Sequence, residues 1–170
     1  MTENLYNPGC IRTFTGKYIN PIEPDLELIC LEDIAHALSM QCRFGGHLPR
    51  FYSVAQHCVA VASLLPPGLQ RQGLMHDASE AYLIDVPRPV KEQLTNYKGI
   101  ENNLMYTIAN LFSFDWPLSD LVKAADEEML KLEWETLMLE TSKPTGIITE
   151  VWAPGDAKYM FLQTFKNTRL

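Results

Sequence analysis

The sequence predicts a mainly helical protein with a single domain. Its 170 residues are enough for one domain with a substantial core, and 46% hydrophobic and 21% charged residues are ordinary for a globular protein. From residue 31 onward apolar residues recur at helical spacing, whereas strand-like alternation is confined to residues 12–19, around Gly16. We therefore expect residues 1–30 to form an N-terminal extension with a short β-hairpin, and residues 31–170 to form a helical core.

The core divides into a series of predicted helices. Ser53 begins one of them, with Gln56 three residues later completing a capping box. Two prolines predict that residues 85–91 are extended, and Pro144 to Gly146 are expected to form a turn. The predicted helices cover residues 31–38, 53–65, a segment ending near 83, 100–112, 119–140 and 154–165.

Composition excludes several classes of function. The net charge of −7 argues against a surface for nucleic acids or anionic membranes, and no apolar run approaches the ~20 residues of a membrane span. The N-terminus lacks the basic and apolar regions of a signal peptide. The four cysteines are scattered without a CxxC pair, as expected for reduced thiols. These features predict a cytoplasmic protein without nucleic-acid or membrane partners.

One stretch concentrates ionisable groups in an apolar setting. His76, Asp77 and Glu80 lie between Leu74 and Ala81, and His76 and Glu80 share one face if the segment is a helix. Three such groups in an apolar environment need partners, and a divalent cation would partner all of them. The alternative is a helix with one hydrogen-bonded histidine and surface acids.

Two other helices carry residues of the same kind. His57 lies on the buried side of its predicted helix, and Asp126 falls inside an apolar stripe. A buried carboxylate is costly unless it is paired or bound to a metal. The neighbouring glutamates are assigned to the solvated face, so nothing after Asp126 is predicted to be functional; they are Glu127, Glu128, Glu133, Glu135 and Glu140.

His57, His76, Asp77 and Asp126 therefore form a predicted metal site. Two imidazoles and two carboxylates favour Mn, Co, Fe or Ni with positions left for water or substrate, and Mg or Zn is also compatible. A closed structural zinc site would instead use cysteine thiolates. Further candidate contacts to an anionic ligand are Arg43, His47 and Arg50 near a glycine pair, and Asp85, Arg88 and Lys91 beyond the acidic stretch.

Four blocks in order resemble the HD-domain phosphohydrolase superfamily, in particular its small bacterial and phage 5′-deoxynucleotidase-like members. The blocks are Ser53-Val-Ala-Gln-His57, His76-Asp77-Ala-Ser-Glu80-Ala, Asp85-Val-Pro-Arg-Pro-Val-Lys91 and Val122-Lys-Ala-Ala-Asp126. The resemblance covers residues 43–126 and implies an all-α, single HD-domain helical bundle with His57, His76, Asp77 and Asp126 as metal ligands. It also implies that Glu80 handles the proton of the attacking water, that Arg43 and Lys91 hold phosphate, and that Asp85 lies near the sugar hydroxyl.

The resemblance leads to an expected function. It implies a metal-dependent 5′-nucleotidase that releases phosphate from (deoxy)nucleoside monophosphates, and a homo-oligomer. The chain has only His36, His47, His57 and His76, too few for the dinuclear members, so one metal per subunit is expected. Phe44 follows Arg43 where those nucleotidases have tryptophan and proline. The alternatives are a dNTP triphosphohydrolase and a non-catalytic nucleotide-binding sensor.

Overall fold

The computed structural model describes residues 7–140, 147–148 and 150–168, and it confirms an all-α fold with a small N-terminal hairpin. Strand β1 (Ile11–Arg12) pairs antiparallel with β2 (Tyr18–Ile19), and Gly16 takes a left-handed φ of 87° in the connecting turn. The turn predicted for Pro144 to Gly146 lies outside the described residues, as do residues 1–6 of the expected N-terminal extension.

The helices follow in chain order, with α2 at the centre in contact with four others. The helices are α1 (Leu31–Met40), α2 (Val54–Ser63), α3 (Gln70–Met75), α4 (Glu80–Leu83), α5 (Arg88–Lys91), α6 (Tyr97–Phe112), α7 (Asp120–Glu133) and α8 (Pro154–Asn167). A π-helical turn, Trp134–Met138, continues α7.

The hydrophobic core surrounds α2 on two sides. Apolar residues of α1, α3, α6 and α8 pack on one side, and those of α7 pack on the other. Gly73 allows α3 to lie close to α2, because a β-carbon there would clash with Leu65. The N-terminal segment also reaches the core, since Ile19 is fully buried. Within the described residues, no helix combines the length and apolar character needed to cross a membrane.

The predicted continuous helix through His76 is wrong. Helix α3 ends at Met75 and α4 begins at Glu80, and between them backbone N–H groups bond to carbonyls three residues back, as in Glu80 N to Asp77 O (2.9 Å). The carbonyl of Gly73, in the last turn of α3, accepts a hydrogen bond from Nδ1 of His76 (2.7 Å). This tight turn sets the directions of His76, Asp77 and Glu80.

Two other local predictions need correction. Ser53 does accept a hydrogen bond from Gln56 N (3.1 Å), but the Gln56 side chain turns away from it and bonds to Glu150 O and Trp152 N. The prolines do not keep residues 85–91 extended, because Arg88–Lys91 forms α5. Pro89 is the second residue of that helix, where no backbone N–H is required.

Candidate metal centre

The four predicted metal ligands converge from three separate segments of the chain. His57 comes from α2, His76 and Asp77 from the turn after α3, and Asp126 from α7. His57 Nε2 lies 3.3 Å from His76 Nε2, 3.1 Å from Asp126 Oδ1 and 3.7 Å from Asp77 Oδ2. His76 Nε2 lies 3.2 Å from Asp77 Oδ2 and 3.6 Å from Asp126 Oδ1.

These separations match the coordination sphere of one divalent ion. A metal about 2.1 Å from each ligand places neighbouring donors about 3.0 Å apart in octahedral coordination and about 3.4 Å apart in tetrahedral coordination. His57, His76 and Asp126 form a group that could hold a metal ion, and Cys58 with His76 and Asp77 forms an overlapping one. The donor atoms of His57, His76 and Asp126 are therefore assembled at metal-binding distances, and Asp77 lies beside the two histidines.

The other ring nitrogen of each histidine is fixed by a hydrogen bond. His76 Nδ1 donates to Gly73 O (2.7 Å), and His57 Nδ1 lies 2.6 Å from Glu133 Oε1. In the neutral form that binds a metal, a hydrogen atom on each Nδ1 leaves the lone pair of each Nε2 directed at the shared centre. Metal-binding histidines are commonly oriented in this way by a carbonyl or a carboxylate.

The carboxylates of the centre remain ionised. Burial favours the neutral form of Asp77, but His76 and His57 outweigh it and lower its pKa to about 2. Burial likewise opposes ionisation of Asp126, whose pKa is nevertheless held below its usual value by hydrogen bonds with His57 and His76. Burial lowers the pKa of His76, and the adjacent carboxylates raise it well above its usual value. The centre is thus electrostatically suited to a cation.

The carboxylate side of the centre is open. The side chains of His57 and His76 are 0% and 3% exposed, whereas those of Asp77 and Asp126 are 20% and 33% exposed. Asp126 is therefore only half-buried, contrary to the prediction of a buried carboxylate. Its side chain extends from the apolar stripe of α7 toward a cavity, so water or a ligand can approach the donor set from that side.

This cavity has a volume of about 360 Å³ and includes most of the predicted ligand contacts. Arg43, Asp85 and Lys91 line it together with Asp77, Glu80 and Asp126. His47 does not line it and is exposed. The intervening residues Phe44, Gly45 and Gly46 have φ values of 56°, 61° and 82°, and this left-handed run redirects the chain after Arg43.

Glu80 presents a buried carboxyl group to the cavity. It is 5% exposed, and its Oε2 atom has no hydrogen-bond partner among the described residues. Burial, followed by the charges of Asp77 and Asp85, raises its pKa well above the usual value. Gln41, which sequence reasoning missed, holds this region by donating to Glu80 O (2.9 Å) and accepting from Asp85 N (3.0 Å).

Glu133 was assigned to the solvated face, and that prediction is wrong. It is fully buried, with Oε1 at His57 Nδ1 and Oε2 3.0 Å from Arg43 Nη2. Burial raises its pKa, but His57 and Arg43 outweigh that effect and lower it. The signal in the sequence was spacing, because Glu133 follows Asp126 by seven residues and so lies on the same face of α7.

The fold and the site define an all-α protein in which His57, His76 and Asp126 form a candidate metal centre at the edge of a charged cavity. No protein-family model matches the chain. It is 38% identical over 167 residues to the uncharacterized protein YfdR of Escherichia coli (strain K12), covering 92% of this chain and 94% of YfdR. It is 30% identical over 140 residues to the uncharacterized protein RCAP_rcc00048 of Rhodobacter capsulatus, covering 74% of this chain and 71% of that protein. The chain belongs to the same family as YfdR.

Proposed function

We propose that this protein is a metal-dependent phosphohydrolase of the HD-domain superfamily that acts on nucleotides as a 5′-(deoxy)nucleotidase. One observation carries the proposal: the donor atoms of His57, His76 and Asp126, with Asp77 beside the histidines, lie next to a cavity that also holds the carboxyl group of Glu80. A structural metal would need only the donor set. The additional acid and the nearby cations Arg43 and Lys91 support turnover of an anionic ligand.

The chemistry is hydrolysis of a phosphate monoester. When bound, a divalent cation polarises a phosphoryl oxygen and makes a water molecule easier to deprotonate. Glu80 accepts a proton from the attacking water, whose oxygen bonds to phosphorus while the ester P–O bond breaks. Glu80 then returns the proton to the leaving alcohol. Arg43 and Lys91 offset the charge of the phosphate.

The charge of the cavity favours a monophosphate over a triphosphate. Its lining combines the carboxyl groups of Asp77, Glu80, Asp85 and Asp126 with three cations: Arg43, Arg88 and Lys91. Two of the cations are already paired, since Arg43 lies 3.0 Å from Glu133 and Lys91 lies 2.7 Å from Glu101. Apart from the metal, the cavity therefore offers little uncompensated positive charge, which suits a monoester with about two negative charges better than a triphosphate with about four.

Product analysis by chromatography tests this proposal. Metal-stripped protein is incubated with nucleoside mono- and triphosphates plus Mn²⁺ or Co²⁺, and an Asp77→Ala variant serves as the control. We expect free phosphate and nucleoside from monophosphates with the wild type, and no product with the variant. Inorganic triphosphate released from a dNTP would establish the triphosphohydrolase alternative. No metal-dependent product from either class would favour a nucleotide-binding sensor.

A further inference from the structure

Glu133 connects the candidate metal centre to the cation that faces the cavity. Its two carboxylate oxygens have different partners, His57 Nδ1 at 2.6 Å and Arg43 Nη2 at 3.0 Å. Glu133 and His57 are both 0% exposed, and Arg43 is 9% exposed. Water therefore has little access to replace either contact, and loss of the carboxylate would leave two buried donors without an acceptor.

The contact with His57 determines which ring nitrogen faces the centre. A carboxylate can only accept, so the neutral, metal-binding form of His57 carries its hydrogen on Nδ1 and directs the Nε2 lone pair toward His76 and Asp126. An amide nitrogen in the place of Oε1 would donate to Nδ1 instead. The hydrogen would then move to Nε2, where it would block coordination.

The contact with Arg43 is closer than the ion pair of its guanidinium group with the predicted metal ligand Asp77, and it limits how near the two can come. Arg43 Nη1 already lies 3.8 Å from Asp77 Oδ2, and Arg43 Nε has no hydrogen-bond partner among the described residues. Without Glu133, the nearest carboxylate with exposed surface is Asp77. An ion pair between Arg43 and Asp77 would withdraw an oxygen from the centre and a cation from the cavity.

We propose that Glu133 is a positioning residue that sets His57 for metal binding and holds Arg43 for an anion, and so couples the two parts of the site. The assignment of Arg43 to a phosphate rests on the proposed function. The assignment of His57 to a metal requires no turnover.

Two substitutions separate this role from simple packing. Glu133→Gln has nearly the same shape but only one acceptor oxygen, so it can satisfy either His57 or Arg43 but not both. Glu133→Asp keeps two acceptor oxygens on a shorter side chain. Glu128→Gln is the matched control, because Glu128 is exposed on the same helix. Circular dichroism first establishes that each variant is folded.

The first measurement is calorimetric titration of each metal-stripped protein with Mn²⁺ alone. We expect Glu133→Gln to weaken Mn²⁺ binding 10–100-fold, the usual effect of losing a carboxylate behind a histidine ligand. Glu133→Asp should recover part of that loss, and Glu128→Gln should match the wild type. The affinities of the Mn²⁺-loaded proteins for inorganic phosphate should follow the same order.

The second measurement is ¹⁵N NMR of the histidine rings of the metal-stripped proteins at a pH where the rings are neutral, which reports which nitrogen of His57 carries the hydrogen. We expect the ring hydrogen of His57 to lie on Nδ1 in the wild type and in Glu133→Asp. In Glu133→Gln we expect a larger share of rings with the hydrogen on Nε2. Folded Glu133→Gln with wild-type Mn²⁺ affinity and an unchanged tautomer would overturn the proposal. If Glu133→Gln does not fold, wild-type His57 with its hydrogen on Nε2 would overturn it. Weakened Mn²⁺ binding in a protein that hydrolyses no nucleotide would support the metal-positioning role and refute the proposed function.

Discussion

At the scale of single residues, Glu80 carries a carboxyl group in a position where ionisation is costly. Burial is the main cause of its raised pKa, and the charges of Asp77 and Asp85 add to it. The nearest cation, Lys91, has its Nζ 3.9 Å from Glu80 Oε1 and is closer to Glu101. In the metal-free protein Glu80 therefore retains its proton at pH values where an exposed glutamate has lost it.

The raised pKa predicts a stabilising substitution. Below the ordinary pKa of 4.5, Glu80 is protonated in both the folded and the unfolded states. As the pH rises above it, the unfolded state ionises and the folded state resists, so the wild type loses stability. We expect Glu80→Gln to raise the melting temperature in EDTA at pH 7.5 by more than at pH 4.5. Exposed Glu92→Gln is the control, and a pH-independent difference for Glu80→Gln would contradict the pKa assignment.

The four predicted ligands and Glu133 differ in how clearly the surrounding sequence marks them. His57, His76, Asp77 and Asp126 were predicted because charged or polar groups conflicted with an apolar pattern around them. Glu133 stands among several glutamates, where a charged helix face is the ordinary interpretation. Its partner Arg43 lies 90 residues earlier in the chain, and only the fold brings the two together.

At the scale of elements, Asp33 joins the hairpin to α1. Its carboxylate accepts hydrogen bonds from Thr15 N (2.7 Å), Thr15 Oγ1 (2.8 Å) and Cys30 Sγ (3.0 Å). Burial favours the neutral form, but these hydrogen bonds outweigh it and lower the pKa of Asp33. Asp33 also lies in the first turn of α1, where a negative charge is favourable.

Asp33→Asn should therefore destabilise the protein. The amide group supplies a donor where an acceptor is needed, and hydrogen bonds to a charged group contribute about 2 kcal/mol. Because the folded pKa lies below its ordinary value of 3.8, the stabilisation is present above that pH and is lost as the pH falls through the folded pKa.

Urea unfolding of Asp33→Asn at pH 7 and at pH 3.5 measures both effects. The free-energy difference from the wild type should be largest at pH 7 and smaller at pH 3.5. Asp120→Asn is the control, since Asp120 occupies the first turn of α7 with a 99% exposed side chain. An equal loss of unfolding free energy in Asp33→Asn and Asp120→Asn at pH 7 would show that Asp33 does not anchor the hairpin to α1.

Elements were predicted well where apolar spacing governs them and less well where side chains interrupt the backbone pattern. Periodicity located α2, α6 and α7 because their buried faces repeat at helical spacing. Periodicity does not predict the break between α3 and α4. At this break the His76 ring donates a hydrogen bond to the carbonyl of Gly73, and apolar spacing carries no information about such a contact.

At the scale of the whole molecule, the candidate centre joins parts of the chain that are distant in sequence. Its predicted ligands come from α2, the turn after α3, and α7, and these three helices pack against one another. Any ion that binds the assembled donors and not the unfolded chain must stabilise the folded state.

Added metal should therefore raise the melting temperature. At a free Mn²⁺ concentration one hundred times Kd the stabilisation is about 2.7 kcal/mol, which corresponds to a rise of roughly 5–10 °C for a domain of this size. Excess EDTA should reverse the shift, and Asp126→Ala should greatly reduce it. A wild-type melting temperature that does not change when Mn²⁺, Co²⁺ or Mg²⁺ is added would contradict a metal centre.

The most direct test of the account compares bound metal and phosphate release in the wild type and in Glu80→Gln. Both proteins are loaded with Mn²⁺, their metal content is measured, and each is given a deoxynucleoside monophosphate. We predict about one ion per chain in both, phosphate release by the wild type and none by the variant, because in the proposed mechanism Glu80 handles the proton without binding the metal. Full activity of Glu80→Gln, or a wild type that holds metal and releases no phosphate, would contradict the account.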